Sequence, residues 1–107
     1  MPLPNEAHQE AVELLRALIR VDTSNPPGNE RPAAELIAEA LHQDGIEPRL
    51  LEAEKNRTSL VARLKGSGDK PPLLLTAHLD VVPAEAGRWK HPPFAAHVED
   101  GWLYGRG

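Results

Sequence analysis

The sequence of 107 residues contains no cysteine. Disulfides and thiolate-bound zinc are therefore excluded, and the composition fits a reducing cytosol. Aromatic residues make up only 4% of the chain, so any core must be built from Leu, Val, Ile and Ala. No apolar run approaches the roughly 20 residues that span a bilayer, and no membrane partner is expected. The opening Met1-Pro2-Leu3-Pro4-Asn5-Glu6 has neither a basic region nor an apolar stretch, so the expectation is a cytoplasmic protein without a signal peptide. Lys and Arg number 12 against 16 Asp and Glu, and they are scattered, not gathered in a stripe, which argues against a nucleic-acid partner. Asn56-Arg57-Thr58 has the form of a glycosylation acceptor, but without secretion it is a chance match. No segment repeats and no tract is of low complexity.

What is present suggests one α/β domain, near the lower size at which burial alone closes a core. Ala11, Leu14, Leu15, Leu18 and Ile19 recur at helical spacing, with Asn5 as a possible cap and Arg16 and Arg20 near the far end. Residues 21–29 then interrupt with turn formers and consecutive prolines, a loop that by itself reads as a connector. Asn29 is placed to cap a second helix with Pro32 in its first turn, a buried face of Ala33, Leu36, Ile37, Ala40 and Leu41, and Gly45 as its stop. Residues 46–53 are a weak strand candidate, with Pro48 favouring an edge, and 58–64 a better one. Residues 65–70 form a flexible turn with glycines and a serine, but no helix follows, so it is no phosphate loop. Near the end, residues 97–104 predict a hairpin turning at Asp100-Gly101.

The organising stretch is Leu73-Leu74-Leu75-Thr76-Ala77-His78-Leu79-Asp80-Val81-Val82-Pro83. An unbroken apolar start between prolines predicts a strand buried on both faces. His78 and Asp80 share one side of it, so the carboxylate can reach one imidazole nitrogen and leave the other as a lone-pair donor for a metal. A lone H-x-D reads more plainly as a capping histidine held by a nearby acid. His91 and His97 read as surface or hairpin residues before they read as ligands, and His8 and His42 are weaker still. Two glycines around Arg106 imply close backbone packing.

Four pieces occur in one order: Val21-Asp22-Thr23-Ser24-Asn25-Pro26-Pro27-Gly28-Asn29-Glu30, then Thr76-Ala77-His78-Leu79-Asp80-Val81-Val82-Pro83, then Trp89 with Pro92-Pro93-Phe94, then Asp100-Gly101-Trp102-Leu103-Tyr104-Gly105-Arg106-Gly107. Over nearly the whole chain this resembles the opening of the zinc-dependent amidohydrolase and peptidase family of acetylornithine deacetylase, succinyl-diaminopimelate desuccinylase, aminoacylase, glutamate carboxypeptidase and related dipeptidases. The resemblance implies that residues 1–107 are the N-terminal part of a catalytic domain with a three-layer mixed sheet and flanking helices, without the dimerisation domain. It implies His78 as a ligand of one ion in a two-zinc centre (cobalt or manganese being possible) and Asp80 as the catalytic acid that orients it. A bridging aspartate, paired glutamates, a further acidic ligand and a late histidine are expected outside these residues. The expected activity is hydrolysis of amide or peptide bonds in N-acyl amino acids or small peptides, by a homodimer when full length. Residues 1–107 alone carry about one donor of a site that needs about five or six, so they are expected to be inactive. The competing expectation is a short non-catalytic product whose exposed edges bind a partner.

Overall fold

A computed structural model describes residues 5–107. Its elements are α1 (Asn5–Ile19), α2 (Arg31–Gln43), β1 (Arg49–Glu54), β2 (Arg57–Val61), a single 3-10 turn at Ala86–Arg88, β3 (His97–Glu99) and β4 (Trp102–Tyr104). The chain is thus a small α/β structure of two helices and two sheets. Each sheet is one antiparallel pair, β1 with β2 and β3 with β4.

Both helices form where the apolar spacing places them, but they bury less than their stripes offer. In α1 only Ile19 is buried, while Leu15 stays 49% exposed. In α2 the buried residues are Ala33, Ala34 and Ala38. Leu36, Ile37, Ala40 and Leu41 are only partly covered. The small side chains lie innermost because α2 packs closely on β2, with β1 beside it.

The ends of α2 show two different solutions to unpaired backbone groups. At its C-terminus Gly45, at φ 73°, donates to the His42 carbonyl and Ile46 donates to that of Leu41. This is the paired closure that a left-handed glycine allows. At its N-terminus the cap is Glu30, not Asn29, and no side chain caps it. The Asn56 carbonyl in the β1–β2 turn accepts from Glu30 N at 2.9 Å and from Arg31 N at 3.2 Å. The Glu30 carboxylate is thereby free to take both its oxygens to Arg57 Nε at 2.9 Å.

The predicted hairpin at 97–104 forms with Glu99 opposite Trp102. Asp100 and Gly101 take φ of 52° and 81°, the left-handed pair that a two-residue turn of matching twist needs. Residues 92–106 dock on α1. Arg16 Nε donates to the Ala96 carbonyl at 3.3 Å, and a Cβ on Gly105 would stand 2.5 Å from Ile19 Cγ2. The close packing expected of the glycines around Arg106 is realised there.

The central strand differs from expectation. Among the described residues, 73–80 join no ladder, and the one β-bridge of this stretch is a parallel one between Ser24 and Val81. Leu73, Leu74 and Leu75 are 83–84% exposed. A strand buried on both faces needs neighbours on both edges, and among the described residues only the 22–25 loop borders its far end, leaving Leu73–Leu75 uncovered. The three-layer mixed sheet is accordingly not seen here, and β2 ends at Val61 instead of running on to Leu64. The radius of gyration is 15.9 Å, against about 13 Å for a compact domain of this length. Among the described residues, Ala34 and Ala96 are fully buried but no large side chain is.

Candidate functional site

The loop at 22–30 is the scaffold of the site, although its composition alone reads as a connector. Val81 N donates to the Thr23 carbonyl at 3.2 Å, and Asn25 N donates to the Val81 carbonyl at 2.9 Å. The buried Thr23 adds its hydroxyl, which donates to the Leu79 carbonyl at 2.7 Å. These bonds hold the H-x-D segment along one side while its other side stays open. The loop is itself stapled from behind. Glu30, with its side chain 8% exposed, pairs with Arg57, and Gly28 lets that guanidinium pass: a Cβ there would meet Arg57 Nε at 2.6 Å.

His78 and Asp80 come together. His78 Nδ1 lies 3.2 Å from Asp80 Oδ1 and 2.7 Å from the Asp80 main-chain carbonyl. A carbonyl oxygen only accepts, so Nδ1 carries a proton, and in the neutral ring the lone pair therefore falls on Nε2. The tautomer expected from the carboxylate is therefore set chiefly by the backbone of the same residue. The His78 side chain is 80% exposed, leaving Nε2 accessible.

The second oxygen of Asp80 is held by a residue that sequence reasoning passed over. Asn25 Nδ2 donates to Asp80 Oδ2 at 3.0 Å. That hydrogen bond, foremost, together with the nearby His78 and Arg57 charges, keeps the Asp80 carboxyl below the usual range despite some desolvation. The signal that this loop is more than a connector was its place among the four pieces that carry the family resemblance.

A cavity of about 250 Å³ lies beside the pair, lined by His78, Asp80, Thr23 and Arg106 with Leu18 and Ile19 on its apolar side. Arg106 sits 5.2 Å over the Trp89 ring, a cation–π contact. Its Nε is buried without a partner.

These residues fit part of a metal site. Nδ1 is committed and Nε2 is free, as a ligating histidine requires. Yet His78 belongs to no group of three donors among the described residues. The one such group is His91, His97 and Glu99. His8 lies exposed on α1, and His42 pairs with Glu47 at 3.1 Å.

Comparison with known proteins gives a consistent result. Residues 74–107 match the model of peptidase family M20/M25/M40. The whole chain aligns at 39% identity with a succinyl-diaminopimelate desuccinylase of Methylobacterium radiotolerans, covering 27% of that protein. A probable succinyl-diaminopimelate desuccinylase of Staphylococcus epidermidis is 33% identical over 94% of the chain and 24% of its own length. A Methylorubrum populi desuccinylase is 38% identical over 92% of the chain and 26% of its own length. The chain spans about a quarter of the length of these relatives. The interaction-module alternative gains no support from them. No described helix is long and apolar enough to cross a membrane.

Proposed function

We propose that this chain, a segment of the M20/M25/M40 peptidase family and so of a hydrolase family, brings one metal ligand and that ligand's orienting acid to a two-metal hydrolase. The observation that carries the reading is the His78–Asp80 pair, with Nδ1 engaged at 2.7 Å and the opposite ring nitrogen open. His78 Nε2 is the donor, and Asp80 holds the ring. Asn25 holds the acid, and Thr23 fixes the backbone between them. When bound, a pair of divalent ions supplies Lewis-acid character and a water acidic enough to ionise near neutrality. Zinc suits the nitrogen and oxygen donors, and cobalt or manganese can replace it.

In this reading the bond cleaved is the amide of an N-acyl amino acid or small peptide. The relatives' names supply one instance, a succinylated diamino diacid. The remaining ligands and the proton acceptor belong to the part of those relatives that this chain does not span. There, too, the exposed Leu73–Leu75 edge would find its neighbours and complete a three-layer domain, in a cytoplasmic homodimer.

The test grafts residues 1–107 in place of the matching segment of the Methylobacterium radiotolerans protein. The chimera is expected to hydrolyse its amide with zinc, and His78→Ala is expected to cost activity together with bound metal. A folded, active chimera whose metal content and rate ignore His78→Ala would overturn the proposal. Residues 1–107 alone are expected to show no hydrolysis at any zinc concentration.

A further inference from the structure

The β3–β4 hairpin carries a second set of donors. His97 and Glu99 stand two apart on β3 and so face the same side, with Tyr104 opposite His97 in the register. The turn after Trp89 folds His91 onto them. Its ring stacks on that of His97 with centroids 3.9 Å apart and planes 24° from parallel, and it meets Tyr104 edge-on at 4.8 Å. His91 Nε2 lies 3.2 Å from Glu99 Oε2. One donor atom from each of the three residues falls within 4.8 Å of the others.

We propose that His91, His97 and Glu99 bind one divalent transition-metal ion of the zinc class, at a site that shares no residue with the His78–Asp80 pair. Two imidazoles and a carboxylate are the donors such an ion takes, and three protein ligands leave a fourth position to water. Bonds of about 2.0–2.1 Å place tetrahedral donors roughly 3.3 Å apart. The trio therefore closes by about 1.5 Å at its widest, with the stacked rings turning to converge. His97 can turn because it lies at the exposed surface of β3. Lys90 Nζ now sits 2.7 Å from Glu99 Oε2, so a cation already occupies that carboxylate, and the metal replaces it. Once bound, the ion ties residues 89–94 to the hairpin.

The test is titration of this chain with zinc chloride, followed by calorimetry and by hydrogen exchange at 97–104. One ion per chain is expected, with slower exchange across the hairpin. His97→Gln, at an exposed strand position, should weaken binding at least tenfold and remove that protection, while His78→Ala leaves both unchanged. Hairpin exchange in metal-free His97→Gln shows whether the fold survives. If it does not, Glu99→Gln takes its place with the same expected loss. Absence of stoichiometric binding, or binding lost with His78 and kept without His97, would overturn the proposal.

Discussion

At the scale of single residues, Asn25 and Gly28 set what the site can be. Asn25→Ala removes the amide that foremost holds the Asp80 carboxyl below its usual range. The carboxyl is expected to titrate higher in that variant, followed by its carbon-13 shift against pH. In the zinc-bound chimera, losing such an outer partner should weaken metal binding by about 10- to 100-fold. Gly28 sits at φ 83° with Arg57 against its open face. Gly28→Ala therefore combines a left-handed backbone with a clash, and about 1–3 kcal/mol of destabilisation is expected, read as a lower denaturant midpoint. A Gly28→Ala variant as stable as the parent would show that the Arg57 approach is not tight.

Among elements, α2 and the β1–β2 hairpin depend on each other. Arg57 links the hairpin to the Glu30 cap, and its own side chain remains 36% exposed. Arg57→Met leaves a nearly buried carboxylate unpaired, and solvent at the arginine end limits the expected loss to about 2 kcal/mol. Glu30→Gln in the same background should restore part of it. The hairpin turn carries a pH dependence of its own. Glu52 accepts from Asn56 N at 2.7 Å, and that bond first, with Arg31 and Thr58 helping, lowers its pKa. A depressed carboxyl stabilises the fold above its unfolded pKa, and the contribution disappears as pH falls through the folded value. Amide exchange at Asn56 should accelerate across that acidic window, and Glu52→Gln should flatten the response.

Elements were legible in the sequence where their causes are local. Asp100-Gly101 determines its own hairpin, and Gly45 ends its own helix, because the needed φ belongs to the residue itself. The cap of α2 was not legible. The Asn56 carbonyl comes from a turn 26 positions beyond Glu30, and any residue carries a carbonyl. The His78–Asp80 pairing could be read from a spacing of two, whereas the Asn25 contact spans 55 positions and needed the loop to dock. His97 and Glu99 share that same spacing of two, but the turn that brings His91 to 3.2 Å from Glu99 had no signal in the sequence. The strand expected at 73–83 joins no ladder among the described residues, because apolar character specifies burial without naming the neighbour that provides it.

For the molecule as a whole, the apolar edge dominates behaviour. Leu73, Leu74 and Leu75 together present a continuous exposed row, with Leu64 also 83% exposed. Surface of this kind drives association. The isolated chain should elute at sizes that grow with concentration in light-scattering chromatography, and Leu73→Lys with Leu75→Lys should reduce that growth. A monomer unaffected by concentration would mean that the row is covered in solution.

The hydrogen bond from His78 to the peptide oxygen of residue 80 gives the imidazole an anchor that replacing the side chain of residue 80 does not remove. Swapping the acid for asparagine would strip the charge yet leave the ring facing the same way, so such a variant should still present its nitrogen to an ion and grip it less firmly. Orientation and electrostatics, fused in many histidine–carboxylate couples, can in this chain be dissected one from the other.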